Sequence, residues 1–292
     1  MITVKTAATA GFCFGVQRAV DKVYSLLDEP ESAIYTLGPL IHNDEVVQDL
    51  AARGVRVIDE EDLDGISRGT IVIRSHGVGA AVYDHIRARG LELVDVTCPF
   101  VLKIHKIVRE QSEKGNHVLI VGDETHPEVR GICGWCRGPY TVIRTEEEAE
   151  RFEPPSGQQV CVVAQTTFNW NKFKDIVEIL RKKRYDKHVL NIPEIYIILN
   201  TICSATEERQ AEARQIAAEA DTMLVVGGRH SSNTQKLYEI CKAECKDTYY
   251  IQTPVDLDSD MFQRSSYVGI TAGASTPKKI IEEVQRHVRK NF

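Results

Sequence analysis

The chain has 292 residues, 42% of them hydrophobic and 27% charged, with a formal net charge of −6. That length exceeds one typical core and fits lobes of about 100 residues each. It carries no apolar run of the ~20 residues that span a bilayer, and its acidic balance gives no support to broad nucleic-acid binding.

Each third of the sequence opens with an apolar run that leads to a cysteine. In the first, Ile2-Thr3-Val4 reads as a strand before Cys13, and Ile34 to Gly38 reads as another, ending in Gly38-Pro-Leu-Ile-His42-Asn43. Val55 to Ile58 follows with an acidic tail, Asp59-Glu60-Glu61, and a third run from Thr70 ends in Arg74-Ser75-His76-Gly77. In the second, Leu93 to Val96 precedes Cys98, and Val101, Ile104, Ile107 and Val108 have helical spacing. His117 to Val121 then reaches Gly122, Thr125-His126-Pro127-Glu128 follows, and Val160 to Ala164 ends in Gln165-Thr166-Thr167. In the last, Tyr196 to Leu199 precedes Cys203, Thr222 to Val226 ends at Gly227 before His230-Ser231-Ser232-Asn233-Thr234, and the run from Tyr267 ends in Ala274-Ser275-Thr276-Pro277. Gly122 and Gly227 each lie 24 residues after their cysteine (122−98, 227−203), and Gly38 lies 25 after Cys13.

This is an internal repeat of strand, helix, strand, helix, strand, helix, strand, the alternation that gives parallel sheets covered by helices. Cys13, Cys98 and Cys203 occupy one equivalent point in it, each at a predicted helix N-terminus, where the helix dipole favours a thiolate. Three matched soft ligands on a pseudo-threefold axis are how a chain holds an iron–sulfur cluster with one iron left open. The strand-end segments belong where α/β proteins place their ligands, and should face one central cavity with the cysteines. Their histidines, hydroxyls, amide and single carboxylate donate many hydrogen bonds to a polyanion while bearing little fixed positive charge, which suits a small phosphate or diphosphate.

Simpler roles exist for each group taken alone. A cysteine before a helix can be a small buried residue, and Ser204 with Glu207 reads as a capping box. Cys133-Gly-Trp-Cys136 has the spacing of a zinc or redox pair but lacks a second pair to complete a tetrahedral set. Cys161 reads as core, and Cys241 and Cys245, spaced i and i+4, as half-buried thiols. Eight cysteines in a chain able to bury a proper core fit ligands and core thiols better than a disulfide framework. The start runs into strand-like sequence without a signal peptide's charged and apolar blocks, so the cytoplasm is expected. Glu153-Pro-Pro-Ser-Gly157 reads as a surface loop and Lys182 to Lys187 as a charged transition; Lys187 to Leu199 is apolar and irregular.

The run Gly11-Phe-Cys-Phe-Gly-Val-Gln-Arg-Ala-Val20, with Gly38 to Asn43, Arg74 to Val78, Asp95-Val-Thr-Cys-Pro99, Thr125 to Val129, Gln165 to Thr167, Thr201-Ile-Cys-Ser-Ala-Thr-Glu-Glu-Arg-Gln210, Ser231 to Thr234 and Thr271 to Ser275, closely resembles the 4-hydroxy-3-methylbut-2-enyl diphosphate reductases. The resemblance extends from about residue 2 to about residue 289. It implies one catalytic unit over 1–292, a trefoil of three α/β lobes at about 14–97, 98–202 and 203–292, with 1–13 joining the third. It also implies a [4Fe–4S] cluster on Cys13, Cys98 and Cys203 with one iron not ligated by protein. His42, His76, His126, Thr166, Ser231, Ser232, Asn233 and Ser275 would hold the allylic diphosphate, and Glu128 and Thr166 would deliver protons. The implied reaction is reductive dehydroxylation to isopentenyl and dimethylallyl diphosphate, the last step of the methylerythritol phosphate route to isoprenoids. No Gly-x-Gly-x-x-Gly fingerprint follows a strand, so electrons are expected from a ferredoxin or flavodoxin, and neither nucleic acid nor membrane is an expected partner. A quinolinate synthase shares the three-lobed, three-cysteine plan, but Thr-His-Pro-Glu and Ser-Ser-Asn-Thr argue against it. An iron–sulfur sensor would need no polar cavity.

Overall fold

The computed structural model describes residues 2–28, 33–185, 195–263 and 265–291. Three times, a short strand runs into a cysteine and a helix. β1 (Thr3–Thr6) leads to Cys13 and α1 (Phe14–Leu27), followed by β2 (Ile34–Leu37), α2 (Asp44–Ala52), β3 (Arg56–Ile58), β4 (Thr70–Ile73) and α3 (Ala80–Ala88). β5 (Glu92–Asp95) leads to Cys98 and α4 (Pro99–Glu113), followed by β6 (His117–Val121), α5 (Pro127–Cys133), β7 (Tyr140–Ile143), α6 (Glu146–Arg151), β8 (Val160–Ala164) and α7 (Trp170–Tyr185). β9 (Tyr196–Ile198) leads to Cys203 and α8 (Ser204–Glu219), followed by β10 (Thr222–Val226), α9 (Ser232–Glu244), β11 (Thr248–Ile251), β12 (Tyr267–Ala272) and α10 (Lys278–Asn291).

The strands build three parallel sheets, the α/β architecture expected from the alternating pattern. One has the order β1-β12-β10-β11 and another β9-β8-β6-β7. In the third, β5 lies beside β4 and β4 beside β2 in parallel register. The strand that precedes each cysteine is therefore an edge strand beside the last strand of the copy before it: β1 on β12, β5 on β4, β9 on β8. Parallel strands need crossover helices, which cover both sheet faces, so central strands read as unbroken apolar runs.

By contact density the chain forms two compact units, Met1–Glu31, Gly38–Val57 and Ser204–Phe292 in one, Ser32–Leu37 and Ile58–Cys203 in the other. In the first unit, Leu224 and Val226 of β10 pack with Ile280, Ile281, Val284 and Val288 of α10. Their alternating neighbours Met223 and Val225 pack on the other face with Ala213 and Ile216 of α8 and Leu237 and Cys241 of α9. The second unit repeats this around β6. Leu119 and Val121 meet Phe173, Ile176 and Leu180 of α7, while Val118 and Ile120 meet Ile104 and Val108 of α4 and Val129 and Ile132 of α5. Each such fully buried aliphatic side chain contributes roughly 1.5–3 kcal/mol of transfer free energy, which makes the sheets rigid mounts for the loops at their C-terminal ends.

Several local expectations change. The helix after the second strand of each copy is a true α-helix only in α6; in the other copies the acidic runs form 3-10 turns, Glu60–Gly65, Pro254–Asp256 and Ser259–Phe262. Leu63 is the one buried residue of Glu60–Gly65, too little apolar surface to dock a longer helix. Ser204 is the first residue of α8 rather than its cap, because the helix begins directly after Cys203. Cys241 and Cys245 are fully buried instead of half-buried, since α9 lies flat against α8 on that side. Glu153 to Gly157 is a loop as expected. Lys182 and Lys183 belong to α7, and the rest of that charged and apolar stretch, 186–194, lies outside the described residues.

Candidate active site

All eight cysteines are thiols, and Cys13, Cys98 and Cys203 are each partly exposed. Their backbones are anchored in one repeated way. The N–H of Cys13 donates to the carbonyl of Ala274 after β12, that of Cys98 to Ser75 after β4, and that of Cys203 to Thr166 after β8, at 3.2, 3.0 and 3.1 Å. Cys13 and Cys98 are the N-cap residues of α1 and α4, and their carbonyls accept the first helical bonds, from Gln17 and Leu102. The equivalence seen in the sequence is thus an equivalence of backbone geometry. Three matched, partly exposed, uncrosslinked thiols at helix starts fit a thiolate-ligated metal cluster.

In the first unit Cys13 is tied into a polar network. Ala274, whose carbonyl holds Cys13, donates its own N–H to Asn233 Oδ1 at 3.0 Å. That fixes the Asn233 amide so that Nδ2 remains a buried donor without a partner among the described residues, a group whose burial costs free energy unless a ligand accepts from it. Ser231 caps α9, its Oγ accepting from Thr234 N at 3.2 Å, and Ser232 opens the helix beside it. Ser275 Oγ donates to the carbonyl of His42 at 3.1 Å and lies 3.5 Å from Ser231 Oγ. Cys13, His42, Ser231, Ser232, Asn233 and Ser275 therefore gather in this unit at a helix N-terminus, where backbone N–H groups and the dipole favour an anion. Gly228 admits the His42 loop, since a Cβ there would sit 2.5 Å from the His42 carbonyl oxygen.

In the second unit the central group is Glu128, in the first turn of α5 and 2% exposed. Thr166 N–H donates to Glu128 Oε1 and Thr166 Oγ1 to Oε2, both at 2.6 Å. Burial pushes the Glu128 carboxyl up to about 7, and the two Thr166 bonds oppose that rise. Thr166 also supplies the carbonyl that anchors Cys203, so carboxyl, hydroxyl and cysteine form one continuous chain. His126 caps α5, its Nδ1 accepting from Glu128 N at 3.1 Å. An accepting Nδ1 places the proton of the neutral ring on Nε2. The His76 ring stands edge-on to His126 with centroids 5.5 Å apart. His76 follows Ser75, the residue that anchors Cys98, so His76, Cys98, His126, Glu128, Thr166 and Cys203 gather here.

Two kinds of support for the site carry no plain signal in the sequence. The carbonyls of Ala274, Ser75 and Thr166 act through the backbone, where no side-chain identity signals them. His105, stacked on Trp135 with centroids 5.3 Å apart, underlies the Gly77 turn, and burial holds its pKa down to about 4, against the pull of Asp95. Cys133, Cys136 and Cys161 are pushed up to about 11, 12 and 11 by burial. Among the described residues they join no group of three ligands within reach of one ion. Such thiols are poor nucleophiles and fit packing better than metal or redox chemistry.

The chain matches the family model described as LytB protein over residues 4–289. It is 45% identical over 285 residues to a 4-hydroxy-3-methylbut-2-enyl diphosphate reductase of Thermoanaerobacter sp. (strain X514), covering 97% of this chain and 95% of that protein. To one of Clostridioides difficile (strain 630) it is 42% identical over 283 residues, covering 97% and 98%. Among solved structures, an (E)-4-hydroxy-3-methyl-but-2-enyl diphosphate reductase described as the terminal enzyme of the non-mevalonate pathway superposes with a TM-score of 0.68 at 38% identity, covering 99% of this chain and all of that one. The reductase from Plasmodium falciparum superposes with a TM-score of 0.87 at 26% identity, covering 99% and 87%. With near-complete coverage in sequence and in fold, the chain belongs to the LytB family.

Proposed function

We propose that the chain is an enzyme that reductively dehydroxylates 4-hydroxy-3-methylbut-2-enyl diphosphate to isopentenyl and dimethylallyl diphosphate, the terminal step of the non-mevalonate route to isoprenoids. The observation that carries this reading is Glu128, a fully buried carboxyl with a pKa near 7, hydrogen-bonded on both oxygens to a threonine whose carbonyl anchors Cys203. The reaction consumes two electrons and two protons, breaks the C4–O bond, releases water and forms one C–H bond, so it needs both a proton source and a reductant.

Cys13, Cys98 and Cys203 would hold a [4Fe–4S] cluster with one iron not bound by protein, which supplies one-electron reduction and a Lewis-acid position. The other roles belong to side chains. His42, Ser231, Ser232, Asn233 and Ser275 in the first unit, with His76, His126 and Thr166 in the second, donate to the diphosphate and fix the allylic end of the substrate. Asn233 Nδ2 gains a partner that it lacks among the described residues. Protonated Glu128 donates to Thr166 Oγ1, and the threonine passes its own hydrogen toward the departing hydroxyl, because a hydroxyl can accept and donate at once. Electrons come from an external one-electron donor, a ferredoxin or flavodoxin. Eight thiols and no disulfide fit work in the reducing cytoplasm, and the three copies of the repeat are read as lobes at about 14–97, 98–202 and 203–292.

Glu128→Gln tests the proton path, since it keeps size and hydrogen bonding but has no transferable proton. Turnover with a chemical reductant should fall by at least ~10²-fold, the usual scale of general-acid catalysis, with iron content and substrate affinity retained. Turnover close to that of the parent would remove Glu128 from the mechanism.

A further inference from the structure

The three cysteines share their backbone anchor but are reached by segments of different length. The last sheet bond before Cys98 is made by Val96, two residues earlier, and the last before Cys203 by Leu199, four residues earlier. Before Cys13 it is Ala7, bonded to Ile270, six residues earlier. Between Ala7 and Cys13 the chain leaves the sheet through a turn in which Gly11 adopts φ +112, a left-handed conformation that glycine tolerates best.

Two side chains of α8 take over where the sheet stops. Glu212 Oε1 accepts from Ala8 N at 2.7 Å, and Oε2 accepts from Thr9 N at 2.9 Å and Thr9 Oγ1 at 2.5 Å. One turn earlier, Arg209, 4% exposed, donates from Nε to the carbonyl of Thr9 at 2.9 Å and from Nη2 to the carbonyl of Gly11 at 2.7 Å. Five hydrogen bonds from one helix thus hold a four-residue stretch that has no ladder partner among the described residues. Burial raises the Glu212 carboxyl, but the bonds from Thr9 and Ala8 outweigh it and hold the group below its ordinary range, as expected of an ionised acceptor. Arg209 is committed to the same stretch, although buried guanidinium groups are costly unless fully engaged.

We infer that Arg209 and Glu212 are positioning residues for the Cys13 thiolate: they fix the long approach to Cys13 so that this ligand is as rigid as Cys98 and Cys203, whose approaches are short. The inference rests on Cys13 being a cluster ligand. Loosening the brace frees one of three ligands while leaving the other two in place, so its signature is a labile cluster rather than an unfolded chain.

The test compares the anaerobically reconstituted parent with Glu212→Gln, Glu212→Ala, Arg209→Lys and the milder Thr9→Val. It measures the rate at which a ferrous chelator strips iron, and amide hydrogen exchange and thermal unfolding of each metal-free chain. Iron loss should accelerate by about 10-fold or more in Glu212→Ala and Arg209→Lys, the scale of losing hydrogen bonds to a charged group, with Glu212→Gln and Thr9→Val between these and the parent. Exchange should rise at residues 8–13 while β10 and β12 stay protected. Iron loss at the parent's rate in Glu212→Ala and Arg209→Lys would overturn the inference. So would acceleration accompanied by raised exchange throughout the first unit's sheet, the pattern of a purely structural role. A parent that takes up no iron and sulfide would instead overturn the cluster reading on which the inference depends.

Discussion

At the residue scale, Glu128 is the proposed proton donor. Its folded pKa of about 7 exceeds the ordinary 4.5 because burial disfavours the charge more than the Thr166 bonds favour it. A raised carboxyl pKa means that the folded chain holds a proton that the unfolded chain has already released between about pH 4.5 and 7. Its contribution to stability is therefore fully present below the unfolded pKa and is lost as pH rises through the folded one. Unfolding midpoints measured from pH 4 to 8 should show a component that falls across this window in the parent and is absent in Glu128→Gln. An identical pH slope in both chains would contradict the assignment. The same ionisation should lower turnover as pH rises past about 7, since a general acid must be protonated. Residue types made this site legible: Glu128 was recognisable inside Thr-His-Pro-Glu, and the histidines and serines at strand ends. Its shared role with Thr166 was implied by the family resemblance alone, and its complete burial was not legible, because burial depends on contacts between residues distant in the chain, such as Thr166, 38 positions away.

At the scale of elements, the fold depends on turns that aim side chains from rigid strands. Gly77, which follows His76, adopts φ +72, and a Cβ there would lie 2.7 Å from His105 Cε1 and 3.0 Å from Thr97 Cγ2. The His105 ring is stacked on Trp135, whose Nε1 donates to the carbonyl of Val78, so the ring has little freedom to yield. Gly77→Ala should therefore cost about 2–4 kcal/mol, combining a left-handed alanine with local overpacking, and should weaken diphosphate binding by displacing His76. Chemical denaturation and calorimetric titration check the two parts. A loss under about 0.5 kcal/mol with unchanged affinity would show that the turn accommodates a side chain. Strands and helices were legible from hydrophobic runs and their spacing. The 3-10 turns and the burial of Cys241 and Cys245 were not. A six-residue acidic run carries no sign of how much apolar surface awaits it, and i, i+4 spacing does not say which helix face meets a neighbour.

At the scale of the whole molecule, a threefold repeat carries an asymmetric set of side chains. The backbone anchor is the same at Cys13, Cys98 and Cys203, whereas the polar loops differ, with histidines in the first two copies and Ser231, Ser232, Asn233 and Ser275 in the third. The repeat is thus kept in the backbone and not in the side chains that it carries. Substituting serine at Cys13, Cys98 or Cys203 should abolish or severely reduce iron and sulfide uptake, and the same change at Cys133, Cys136, Cys161, Cys241 or Cys245 should not, as metal analysis of anaerobically reconstituted chains will show. Normal loading in any of the first three would break the ligand assignment.

The most direct measurement is anaerobic turnover of 4-hydroxy-3-methylbut-2-enyl diphosphate by the reconstituted chain, with a chemical one-electron reductant so that no partner protein limits the rate and with both diphosphate products quantified. Under the proposed reaction, isopentenyl and dimethylallyl diphosphate form in an amount that matches half the electrons consumed, with formation lost in the Cys98→Ser chain. A parent chain with full iron and sulfide content that leaves the substrate unchanged would contradict it.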